Sequence, residues 1–146
     1  MTNDSSSDAT PAIGSRIALS VMLVVPDAST AIAWYKRALG ARELWNLGGV
    51  AGLEIGEAQF FLHEINPDNP TETSPLEVGY TSIRIELFVD DPDEFLANAL
   101  SAGATLGRSI EEHIVPWGVH RQGGFQDPFG HNWSIGDWSP LRAETP

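Results

Sequence analysis

The sequence contains no cysteine. Disulfide scaffolds, thiol nucleophiles and cysteine metal sites are therefore excluded. Basic residues are also scarce: eight Lys and Arg stand against twenty Asp and Glu, for a net charge of −12. A sequence-independent nucleic-acid binder needs a basic footprint, so no nucleic-acid partner is expected. Long apolar runs are missing too. The stretch 17–25 falls far short of the roughly 20 residues that span a bilayer. The first residues carry Asp4 and Asp8 where a signal peptide would be basic, so the expected location is cytoplasmic, with no membrane partner. There is no Gly-x-Gly-x-x-Gly fingerprint, no P-loop and no Gly-x-Ser-x-Gly elbow. What is present is 146 residues with 42% hydrophobic content, enough for one folded domain without staples. The acidic surface would attract cationic ligands.

A repeat organises the chain. Val25-Pro26-Asp27 opens one stretch and Val89-Asp90-Asp91 opens another, 64 positions later. Leu39-Gly40-Ala41 and Ala102-Gly103-Ala104 close the helix-like stretches that follow, with the Gly-Ala pairs 63 positions apart. Before each opening lies an alternating strand. Ile17, Leu19, Val21, Leu23 and Val25 form one stripe, and Ile83, Ile85, Leu87 and Val89 the other. A period of two predicts that each stripe is buried and that the opposite face, with Ser20 in one copy and Arg84 and Glu86 in the other, is not.

The helices carry clear signals. Asp91-Pro92-Asp93-Glu94 places an N-cap Asp before Pro at the first helical position, with acids in the first turn. The first helix is predicted over Ala28–Leu39, and Gly40 and Gly103 stand where a left-handed C′ residue is wanted. Three strands follow each helix. They are predicted near 42–47, 50–55 and 58–64 in the first copy, and near 105–111, 118–126 and 132–137 in the second. The domain plan is a disordered tail over 1–15, a single domain over 16–138 (unit one 16–65, a Pro-rich linker 66–78, unit two 79–138), and a C-terminal tail over 139–146. Each unit reads β-α-β-β-β, an α+β class.

This tandem βαβββ arrangement resembles the vicinal oxygen chelate superfamily, which includes glyoxalase I, bleomycin-resistance proteins, fosfomycin-resistance enzymes and extradiol dioxygenases. The likeness rests on Val25-Pro26-Asp27 through Ala31-Ile32-Ala33-Trp34-Tyr35, on the two Gly-Ala closures, and on Asp127-Pro128-Phe129-Gly130-His131-Asn132-Trp133 leading into the last strand. It implies a curled mixed sheet whose two half-barrels surround a cavity, often in a homodimer. The resemblance also implies four metal-ligand positions, which fall here on Ser20, Phe61, Arg84 and Ser134. That set cannot form a divalent-metal site, because a guanidinium has no free lone pair and repels a cation. No metal or other cofactor is expected. A register error in the first unit would leave His63 with Glu86 as a weak site.

Arg84 would bind a carboxylate, phosphate or enolate-like oxygen, or pair with Glu86, or both. Glu86 and His63 are the candidate acid–base groups, with a satisfied polar lining as the alternative. Trp117 and His120 enter the pocket side of unit two, as stacking and donor groups or as ordinary packing. His131 reads as structural, held by a backbone carbonyl or Asp127. His113 reads as surface. Trp34, Tyr35, Trp45, Trp133 and Trp138 read as core or interface aromatics. The functional expectation is a metal-free small-molecule-binding homodimer of the glyoxalase/bleomycin-resistance-like group, with ligand sequestration as one role. The alternative is an isomerase, lyase or transferase of the same fold, using Arg84 to stabilise negative charge and Glu86 or His63 as base. A scaffold with filled faces is the third reading, with Met22, Phe61 and Phe88 as the filling side chains.

Overall fold

The computed structural model describes residues 16–116 and 118–142. The predicted N-terminal tail, Trp117 and residues 143–146 lie outside them.

Unit one runs β1 (Met22–Val25), α1 (Ala28–Leu39), β2 (Arg42–Asn46), β3 (Val50–Ile55) and β4 (Ala58–Glu64). Unit two runs β5 (Arg84–Phe88), α3 (Pro92–Ser101), β6 (Thr105–Val115), β7 (Gly118–Gln126) and β8 (Asn132–Gly136). Each unit forms its own four-stranded mixed sheet. Sheet I has the order β1-β4-β3-β2 and sheet II the order β5-β8-β7-β6, so the repeat is kept strand for strand. In each, the first strand is parallel to the last and the other pairs are antiparallel. No described helix is long and apolar enough to cross a membrane.

The helices form for the reasons the sequence gives. Asp27 caps α1, accepting from the Thr30 amide at 2.9 Å, and the Thr30 and Ser29 hydroxyls hold its carboxyl below the usual range. Glu64 at the end of β4 accepts from the Ala28 amide at 2.8 Å, fastening the sheet to the helix start. Asp91 caps α3 through the Glu94 amide, and Gly40 ends α1 in the left-handed region at φ 69°. The acidic run around Asp91 is thus capping, as expected.

Both helices lie on the inner sides of the sheets and against each other, where the Trp34 indole donates to the Ala102 carbonyl at 2.8 Å. Leu23, Val25, Leu53 and Leu62 of sheet I, with Phe125, Trp133 and Ile135 of sheet II, complete one core around Trp34 and Tyr35. A buried hub sits at its centre. Asp127 accepts from Tyr35 Oη at 2.5 Å, Trp133 Nε1 at 2.9 Å, and the amides of Phe129 and His131. His131 Nε2 donates to the Val24 carbonyl at 2.8 Å, tying the unit-two turn to β1. Its role is structural and uses both predicted partners.

Two expectations are corrected, the start of the first strand and the enclosure of a cavity. The first strand starts at Met22, and Ile17, Leu19 and Val21 are exposed, because no described strand covers the face where they lie. Within the expected linker lies a short helix, α2 (Pro75–Val78), started by Pro75 after Ser74, and the C-terminal tail begins with a 3₁₀ turn at Pro140–Arg142. The sheets do not close around a cavity, since both turn their apolar sides to the helices and leave the opposite faces open.

Candidate functional site

The site positions follow from strand register. Residues directly opposite in a pair share a face. On sheet I, Met22 pairs with Phe61, Val24 with His63, and Gly52 with both Phe61 and Trp45. All project away from the helices, while Leu23, Leu53 and Leu62 project inward. On sheet II, Glu86 pairs with Ser134, Arg84 with Asn132, Gly124 with Ser134 and Arg108, and His113 with His120. These too face away from the core.

The outer face of sheet I is aromatic. The Trp45 indole lies across Gly52, where an added Cβ would meet Nε1 at 2.4 Å, so only glycine admits it. Phe61 sits beside it at 6.4 Å between ring centroids. Ser20, Leu44 and Gln59 complete an open pocket of about 290 Å³. Trp45 is 44% exposed, so it belongs to a surface or interface and not to the core. His63 is half-buried on the same face, and its Nδ1 donates to the Glu64 carbonyl at 2.6 Å, leaving Nε2 as the free nitrogen.

The outer face of sheet II is charged and polar. Arg84 gives Nε (3.1 Å) and Nη2 (2.5 Å) to the same Glu86 oxygen, so the expected ion pair exists. Ser134 is buried. It accepts from Gln122 Nε2 at 2.7 Å and donates to the Gly123 carbonyl at 3.3 Å. His120 sits with Nδ1 4.0 Å from Asp137 and its ring 5.5 Å from that of His113. His113 is half-buried against it on this outer face, because β6 continues to Val115, past the predicted end near 111. Arg121 points the other way, to Asp93 of α3 at 2.9 Å. Arg84, Arg108, Gln126, Asn132 and Ser134 line an open pocket of about 390 Å³.

The chain therefore combines a doubled βαβββ unit with outward-facing positions on the first and last strands of each unit. The family model described as Glyoxalase/Bleomycin resistance protein/Dioxygenase superfamily matches residues 17–135. The chain belongs to this superfamily. Uncharacterized proteins of Mycobacterium tuberculosis and Mycobacterium bovis are each 39% identical to it, over 141 residues (91% of this chain, 80% of the relative) and 139 residues (90% and 88%). TioX from Micromonospora sp. ML1 superposes with a TM-score of 0.65 at 25% identity, covering 84% of this chain and 97% of that one. The fosfomycin resistance protein FosX from Mesorhizobium loti shares the fold at a TM-score of 0.58 and 14% identity, covering 88% and 98%.

Many members of the superfamily hold a divalent metal at the four positions occupied here by Ser20, Phe61, Arg84 and Ser134. The donors here do not fit one. Phe61 offers no lone pair, Arg84 brings a positive charge already paired to Glu86, and the Ser134 hydroxyl is spent between Gln122 and the Gly123 carbonyl. His63 and Glu86, the alternative pair, supply one donor from each sheet, and no cluster of three His, Asp or Glu forms among the described residues.

Two features were missed by sequence reasoning. Arg108 reaches the outer face because β6 slips register on both sides of it, between Leu106 and Arg108 and again between Arg108 and Glu111. Counting by twos would put it with Leu106 on the other face. Trp45 as a platform was signalled only by Gly52, whose partner strand is not fixed by sequence.

Proposed function

We propose that the protein binds a small molecule on the outer faces of its two sheets, as a homodimer in the cytoplasm and without the four-ligand metal centre. The observation that carries this reading is the donor set. Three of the four positions lie on strands, with Ser20 just before the first, and together they hold a hydroxyl, a phenyl ring, a paired guanidinium and a hydrogen-bonded serine. What remains is recognition chemistry: an aromatic platform at Trp45 and Phe61, and hydrogen-bonding groups at Arg84, Gln122 and Ser134. The dimer is supported by Met22, Leu44, Trp45 and Leu47, which leave apolar surface uncovered on sheet I.

The test joins metal content with binding. Protein purified without chelators is expected to carry no stoichiometric metal, and titrated nickel, zinc, manganese and iron(II) are expected to bind no more tightly than about 0.1 mM. Small aromatic fragments are expected to quench Trp45 fluorescence saturably. Tight, stoichiometric metal lost in His63→Ala would overturn the reading and return the catalytic alternative, with Glu86 or His63 as base.

A further inference from the structure

We propose that the pocket on sheet II is an oxyanion site anchored by Arg108, with Arg84 as its second guanidinium, and that its ligand is a small molecule bearing a carboxylate or phosphate group. The inference rests on reading this face as a ligand site and adds the ligand's charge class and the residue that selects it.

The lining is the first reason. In a chain of net charge −12, this pocket contains two arginines and no carboxylate. The remaining polar side chains are neutral, and the amides of Gln126 and Asn132 can donate to an oxyanion. The overall negative charge acts over longer distances and is screened beyond about 8 Å at physiological salt, whereas two guanidinium groups at the pocket wall act in contact.

The division of labour between the arginines is the second reason. Arg84 has its Nε–Nη2 edge turned to Glu86, which leaves only Nη1 unengaged. Among the described residues Arg108 makes no salt bridge and no side-chain hydrogen bond, so its whole fork is available for a bidentate contact. The register slips flanking Arg108 explain how it comes to be there: they rotate one arginine of β6 onto the pocket face opposite Gly124. Gly124 itself packs its α-carbon against the Trp133 carbonyl, where a Cβ would come within 2.6 Å.

Sodium phosphate and sodium malonate, titrated by amide NMR at ionic strength held constant with sodium chloride, test this. Both are expected to shift Gly107, Arg108 and Gly124 saturably, and the tighter of the two identifies the preferred anionic group. Arg108→Gln is expected to raise Kd at least tenfold and Arg84→Gln about threefold, with Arg108→Lys in between. Arg42→Gln, on the opposite sheet, should leave Kd unchanged. Equal Kd for Arg108→Gln and Arg42→Gln would overturn the proposal, as would tighter binding of tetramethylammonium at the same amides. Uncharged aromatic fragments that bind when both anions fail would remove the anion class and leave the binding-protein reading standing. If no probe saturates on either sheet, both fall. Arg108 is exposed, so its variants are expected to fold, and an unchanged amide spectrum outside the pocket is the check.

Discussion

The two sheets are copies of one design that differ almost entirely on one side. Toward the helices both present the same thing, an alternating apolar stripe: Leu23, Val25 and Leu62 in one, and Ile85, Leu87 and Ile135 in the other. Away from the helices sheet I is aromatic, with Trp45 and Phe61, and sheet II is ionic and polar, with Arg84, Glu86, Gln122 and His120. The inner side must fill a shared core at fixed volume, so it tolerates little change of shape or polarity. The outer side answers only to what it binds. The division teaches where to look for function in a duplicated fold: at positions where the copies disagree while sharing register.

The most damaging break would be in the hub that both sheets share. Asp127 is 3% exposed and satisfied by two side chains and two amides. Asp127→Ala would orphan the Tyr35 hydroxyl and the Trp133 indole at once, and is expected to cost about 3–5 kcal/mol. Chemical denaturation would read this as a lower midpoint with an unchanged slope. Loss of ligand binding on both faces together should accompany it, whereas variants on either outer face should affect only one.

A pH prediction follows from the same hub. Burial, then the Asp127 charge, then its hydrogen bond push the Tyr35 phenol well above its ordinary pKa. The folded state thus keeps a proton that the unfolded state releases. The stability this confers is complete below about pH 10, the unfolded value, and declines as pH rises from there toward the folded value. Tyr35→Phe should flatten the alkaline limb of a stability profile at a cost of about 1–2 kcal/mol at neutral pH. An alkaline limb of unchanged steepness would assign it to another group.

The division between faces also explains what could be read from sequence. The repeat, both N-caps and the strands over 42–64 follow from local signals: Asp before a helix, Gly after it, and alternation between. Alternation put Ser20, Arg84 and Ser134 on the faces opposite the apolar stripes; Arg84 and Ser134 lie on the paired strands β5 and β8, whereas Ser20 precedes β1. Alternation fails where a strand slips register. Arg108 was invisible for that reason, and the pairing of His113 with His120 was missed because Glu111 and Glu112 interrupt the apolar alternation where the strand was expected to end. That the outer faces stay open was not foreseeable from patterning, since an outer face looks the same whether or not something covers it.

The aromatic face can be broken with a single methyl. Gly52→Ala would place a Cβ inside the Trp45 indole, and the ring would have to leave the sheet. Trp45 is partly exposed and can swing to solvent, so the expected cost to stability is only about 1 kcal/mol. Its fluorescence should shift to the red, and affinity for aromatic fragments should fall at least fivefold. Anion binding on sheet II should not change, which is what separates the two faces as independent sites.

The smallest effect on stability carries the finest comparison. Each outer face holds an arginine–glutamate pair, Arg42 with Glu54 on sheet I and Arg84 with Glu86 on sheet II. Both arginines are largely exposed, at 69% and 52%, so removing either carboxylate charge is expected to change stability by less than about 0.5 kcal/mol. Their functional consequences should diverge. Glu86→Gln frees the Nε–Nη2 edge of Arg84 beside a pocket that already holds Arg108, and phosphate affinity should rise about threefold. Glu54→Gln frees Arg42 on the other sheet, outside the pocket that Arg84 and Arg108 line, and phosphate affinity there should stay where it was. If the two variants bind phosphate alike, Glu86 does not restrain Arg84, and the pocket's selectivity rests on Arg108 alone.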